Sequence, residues 1–159
     1  MANWLEFEDQ GPRLADAVRG CFEASREATM ATLRKDGSPR ISGIETLFWR
    51  GDLWLGMMPG SRKVADLERD PRLALHSATG QAGKTADAKL SGRAIAVQDT
   101  TTIEAFREEF RRSRGEAPDG PIALFLLDVE ESVLTYVEGE ELVIESWRAG
   151  ERPRRRTRR

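Results

Sequence analysis

The sequence predicts a mainly β chain, a closed or partly open antiparallel barrel with a few flanking helices. Three observations carry this. From Thr29 onward, short stretches alternate apolar and polar residues with a period of two. Tight-turn signals, Asp36-Gly37 and Arg50-Gly51-Asp52, separate the first of these stretches. Such connections are too short for the crossovers that parallel strands need, and strands outnumber helices.

The elements follow in order. Pro12 suits a first helical turn, and Leu14, Val18, Cys21 and Phe22 recur at helical spacing, so a helix is expected over 12–28. Cys21 falls on its buried face and reads as a small core residue, since nothing nearby activates a thiol. Strands are expected over 29–33, 39–49 and 53–58, a meander joined by the two turns. Pro59-Gly60-Ser61 then breaks the sheet. Ser61 suits the N-cap of a short helix with Val64 and Leu67 on its apolar stripe, stopped at Asp70-Pro71. A fourth strand is expected over 72–78, a polar loop over 79–86, and a fifth strand over 88–97 bent at Gly92. Thr101 and Glu104 have the spacing of a capping box, with Ile103, Phe106 and Phe110 on one helix face to about Arg112. Closing strands are expected over 122–129, 133–137 and 142–147, with a turn at Gly139.

The chain has 159 residues, enough for one domain with one core, read here as 1–150. No stretch approaches the roughly 18 apolar residues of a membrane span. The start is acidic and lacks an apolar signal core, and a lone cysteine fits a reducing compartment, so a cytoplasmic protein is expected. One His and one Cys exclude a metal site built from several such ligands. Residues 152–159 hold six arginines and no acid, leaving 19 bases against 27 acids before them, a net −8. A body that acidic is a poor nucleic-acid surface. The tail, 151–159, reads as a solvated, disordered end, with contact to RNA or an acidic partner as the alternative. His76, the only histidine, reads as a structural or solvent-edge residue rather than a proton carrier.

Two segments carry candidate chemistry. Gly60-Ser61-Arg62-Lys63 stands between a strand end and a helix start, where free N–H groups and the helix dipole favour an anion. Two cations in that first turn oppose the dipole, so either a phosphate binds there or the turn is an ordinary capped helix with solvated side chains. On the second strand, Arg40 and Ser42 share one face and Ile41 the other. The Arg40 fork fits a phosphate and Ser42 a hydroxyl chain, although an ordinary solvent-facing strand reads equally well. No Ser-His-Asp, paired-carboxylate or metal constellation appears.

The run from Thr29 through Asp36-Gly-Ser-Pro-Arg-Ile-Ser, then Leu53-Trp-Leu-Gly-Met-Met-Pro-Gly-Ser-Arg-Lys-Val, then Asp66-Leu-Glu-Arg-Asp-Pro-Arg, resembles the pyridoxamine 5'-phosphate oxidase family. The resemblance covers roughly residues 25–98 well and the rest loosely. It implies a six-stranded split β-barrel that binds FMN in a groove between the two subunits of a homodimer. It implies that Arg40, Ile41 and Ser42 contact the flavin phosphate and ribityl chain. Met57 would line the cofactor, Ser61, Arg62 and Lys63 would form the phosphate turn, and Trp147 would lie near the cofactor. Arg40, Ser61 and Lys63 should then converge on one phosphate. True family oxidases follow that tryptophan with an Arg-x-His element, whereas residues 148–159 contain no histidine, so vitamin B6 oxidation is not expected. The expectation is a flavin-dependent oxidoreductase of unknown substrate. The deazaflavin coenzyme F(420) on the same fold, or a non-catalytic flavin or heme carrier, are the alternatives.

Overall fold

The computed structural model describes residues 4–79 and 86–159. Two helices lead, α1 (Trp4–Gln10) and α2 (Pro12–Glu23), followed by the meander β1 (Glu27–Leu33), β2 (Pro39–Trp49) and β3 (Asp52–Met57). Then come α3 (Arg62–Arg69), β4 (Arg72–Ser77), β5 (Asp87–Val97), α4 (Thr100–Arg114), β6 (Ala123–Glu138), β7 (Glu141–Arg148) and β8 (Arg154–Arg158). The strands lie in the order β3-β2-β1-β4-β5-β6-β7-β8, and β3 also pairs with β6. That last pairing, Trp54 opposite Leu126 through Met57 opposite Ala123, closes β1–β6 into a six-stranded antiparallel barrel. β7 and β8 continue the sheet beyond the closure. The expected polar loop lies, over 80–85, outside the described residues.

Inward-facing residues of the barrel, among them Met30, Leu53, Leu55, Leu75, Leu90 and Leu127, form the main core together with α1 and α2. A smaller cluster sits under α4, where Phe106 and Phe110 meet Leu47, Trp54 and Leu124. The bend expected at Gly92 is a register shift between Ser91 and Gly92 against β6. A Cβ at Gly92 would stand 1.9 Å from the Asp128 carbonyl oxygen, so only glycine lets the strands approach there.

The structure departs from the sequence reading at five elements, the first being α2, expected over 12–28 but ended at Glu23, with β1 beginning at Glu27. Helix α1 was not foreseen, since seven residues show too little periodicity; packing of Trp4 and Phe7, both fully buried, sustains it. The two strands expected within 122–137 are one continuous strand of 16 residues. The cap of α4 is Asp99, whose side chain accepts the Thr102 N–H at 2.8 Å, rather than Thr101. The tail over 151–159 is not a disordered end. β8 pairs with β7 from Leu142 opposite Arg158 to Ser146 opposite Arg154, and acids of the preceding strands meet its arginines. Charge that repels itself in a free chain is compensated once the chain lies along an acidic edge.

Candidate functional site

Strands β2 and β3 and the start of α3 frame a cleft of about 470 Å³. Gly43, Gly56 and Met57 line it from the sheet, and Phe106 and Ile122 wall it from α4 and the segment that follows. Ser61 and Lys63 stand at its polar end. Ser61 is the N-cap of α3 in extended backbone, φ −65° and ψ 154°, yet its side chain makes no capping bond. Its Oγ is buried and has no hydrogen-bond partner. The Lys63 ammonium donates to the Gly43 carbonyl at 2.7 Å, and partial burial pushes its pKa down. The unpaired hydroxyl, the partly desolvated ammonium and the free N–H groups of the helix start are donors of the kind that fit a phosphate-bearing cofactor.

Arg40 does not line this cleft. Its Nε donates to Asp66 Oδ2 at 2.6 Å, and the side chain is mostly buried. Asp66, on α3, is itself buried and also accepts from the Thr32 hydroxyl at 2.8 Å and from Arg69 at 3.1 Å. Those bonds, the Arg40 bond foremost, hold its carboxyl down to about 2. Arg40 and Arg62 instead border a second, more open cleft of about 660 Å³, together with Arg34, Lys35 and Arg69.

The expected site residues therefore divide. Met57, Ser61 and Lys63 come together, whereas Arg40 and Arg62 line the second cleft. Arg40 does not converge with Ser61 and Lys63 on the first cleft; its Nε is bonded to Asp66 instead. Ile41 is 73% exposed and lines neither cleft, while the Ser42 Oγ beside it is buried without a partner. Trp147 is removed from the cleft. It is 1% exposed, stacks on Phe7 at 4.6 Å and donates to Gln10 at 2.8 Å. Helix α1, invisible to periodicity, is what covers it. His76 is bonded to the Ser77 carbonyl at 2.7 Å and is not among the cleft residues.

The sequence reading missed the acidic mouth of the first cleft, where Glu27 and Glu45 face each other across β1 and β2. Like charges directly opposed weaken a sheet. Only strand register shows that these two residues, 18 apart in the chain, are neighbours. It also placed Phe106 and Phe110 on one helix face without the information that this face closes the cleft.

Comparisons with known proteins bear on this arrangement. The profile of the pyridoxamine 5'-phosphate oxidase family matches residues 14–136. No curated protein matches the chain in sequence. Among solved structures, the chain is similar to PhzG from Burkholderia lata, solved with tetrahydrophenazine-1-carboxylic acid. The identity is 14% and the TM-score 0.62, over 98% of this chain and 88% of that one. It is similar to a heme binding protein from Mycobacterium smegmatis at 18% identity and TM-score 0.68, over 86% of this chain but 58% of that one. A protein from Listeria innocua described as a pyridoxamine 5'-phosphate oxidase gives 16% identity and TM-score 0.61, over 74% and 94% of the two chains. Identities this low speak to the fold alone. The family match spans β1 through nearly all of β6, every strand of the closed barrel, and on that ground the chain belongs to the pyridoxamine 5'-phosphate oxidase family.

Proposed function

We propose that the protein is an FMN-dependent oxidoreductase, a cytoplasmic homodimer whose flavin phosphate sits at the start of α3. The observation that carries this is Ser61, a buried hydroxyl at a helix N-terminus with nothing to bond. An N-cap serine ordinarily bonds the helix itself; here the hydroxyl donates to a phosphate oxygen. Lys63 keeps one proton on the Gly43 carbonyl and turns its others to the same anion. Met57, Phe106 and Ile122 hold a flat ring against an apolar wall and exclude water. The flavin supplies the hydride chemistry when bound, and the chain supplies anchoring and orientation.

Titration with FMN, followed by quenching of flavin fluorescence, tests this. Wild type binds, and Ser61→Ala and Lys63→Ala each weaken binding about tenfold or more, because a hydrogen bond to a charged group contributes about 1.5–3 kcal/mol. Wild-type protein that binds no flavin, or variants that bind as it does, would end the reading.

A second reading keeps the cleft and changes the cofactor to coenzyme F(420). It is favoured by the second cleft, where Arg34, Lys35 and Arg62 suit a longer acidic tail, while Arg40 and Arg69 are held by Asp66. The visible spectrum of the loaded protein separates the two, since the deazaflavin absorbs at shorter wavelength. A non-catalytic heme carrier draws on the likeness to the Mycobacterium smegmatis protein. Among the described residues, the first cleft offers iron Met57 and Met58 but no histidine, cysteine or tyrosine.

A further inference from the structure

The cofactor site leaves the arginine-rich tail unexplained. β8 is the last strand of the sheet, paired with β7 on one side and free on the other. Strand alternation sorts its arginines onto two faces. On one face Arg155 meets Glu138 at 2.7 Å, and Arg159 beyond the strand meets Glu141 at 3.5 Å. That face is neutralised. On the other, Arg154 pairs with Glu151 at 2.8 Å, but Arg156 and Arg158 pair with no carboxylate among the described residues. These two border a cleft of about 400 Å³ lined also by Ile144 and Ser146 of β7; the two carboxylates of that cleft, Glu131 and Glu151, are already paired with Arg148 and Arg154.

We propose that this edge docks an extended acidic segment of a partner protein, which adds to β8 as a further strand and lays alternate carboxylates against Arg156 and Arg158. Two independent features select this occupant. The unpaired charges recur at every second residue, about 6.8 Å at about 3.4 Å per residue, which is the repeat of like-facing side chains on a paired strand. The free edge of β8 offers backbone N–H and C=O groups that another strand can use. A second copy of β8 is a poor occupant, because arginine would stand opposite arginine. A nucleic acid has the charge but no use for a strand edge, and no aromatic side chain lines the cleft to stack a base.

Fluorescence anisotropy with a labelled ten-residue peptide of alternating Glu and Thr, at low ionic strength, tests the proposal on the full chain. The peptide should bind, and its counterpart with Gln for Glu should not. Arg156→Gln combined with Arg158→Gln should weaken binding about fivefold or more, in keeping with exposed ion pairs of up to about 1 kcal/mol each. Arg159→Gln, on the neutralised face, should change it less than about twofold. Replacing Thr by Pro keeps the charge but removes ladder donors, and should also cost about fivefold. Unchanged circular dichroism and thermal midpoints establish that the variants fold. Three results would each overturn the proposal: no binding of the Glu/Thr peptide, equal binding of the Pro version, or tighter binding of a single-stranded oligothymidylate. The first would reduce the arginines to a guard against edge aggregation.

Discussion

The guanidinium of Arg40 donates from its Nε to the carboxylate of Asp66 at 2.6 Å, which turns it away from the end of the first cleft at Ser61 and Lys63. Alternation along β2 put Arg40 and Ser42 on one face, but it carried no sign that a buried carboxylate 26 residues later would bond the Arg40 Nε. Ser61 was legible as an N-cap; that its hydroxyl stays unused was not, because a propensity says nothing about a particular bond. The Asp66 network has a measurable signature. Its folded pKa lies at about 2, below the ordinary 3.8, held there by the Arg40 hydrogen bond with help from Thr32 and Arg69. A depressed carboxylate stabilises the fold fully above its unfolded pKa and loses that contribution as pH falls toward the folded one. Asp66→Asn should therefore cost about 2 kcal/mol at neutral pH. The gap from wild type, read by urea unfolding, should close as pH drops from about 4 to about 2. A gap constant across that window would mean that the carboxylate's charge contributes nothing.

At the scale of elements, the strands were the most legible part, because a half-buried strand writes its two faces into the sequence as alternation. β1 to β5 lie within a few residues of where alternation and turn chemistry put them. The break between β5's halves was legible for the same reason, as glycine in a strand interior signals a bulge. Gly92→Ala would drive a methyl into the Asp128 backbone and should destabilise by about 2–3 kcal/mol, a cost of overpacking that urea unfolding will register. The capping residue of α4 was misplaced because Asp99 and Thr101 are both good caps by type, and only backbone geometry chooses. Asp99→Ala should cost about 1 kcal/mol and Thr101→Ala less than about 0.5 kcal/mol, a difference in thermal midpoint that reverses if Thr101 were the cap.

The whole molecule was the least legible, since its defining contacts join distant segments. Closure of the barrel pairs residues 54–57 with 123–126, and no spacing in the sequence announces it. Burial of Trp147 under α1 and the ordering of β8 along acidic β7 are likewise tertiary facts. Assembly is the remaining step at this scale, and it follows from what the surface leaves uncovered. Ile41 and Met58 are 73% and 74% exposed, the two most exposed large apolar side chains among the described residues, and Met58 lines the first cleft. The proposed dimer would cover both and wall the cleft from its open side. Ile41 lines neither cleft, so it reports on assembly without touching the cofactor directly. Wild-type protein should sediment as a dimer, and Ile41→Asp, which buries an unpaired charge in that interface, should sediment as a monomer. The monomer should also bind FMN about tenfold more weakly although Ser61 and Lys63 are intact. Val137→Asp, at another exposed apolar position, should leave both properties unchanged. An Ile41→Asp protein that remains dimeric would place the interface on a different face of the barrel.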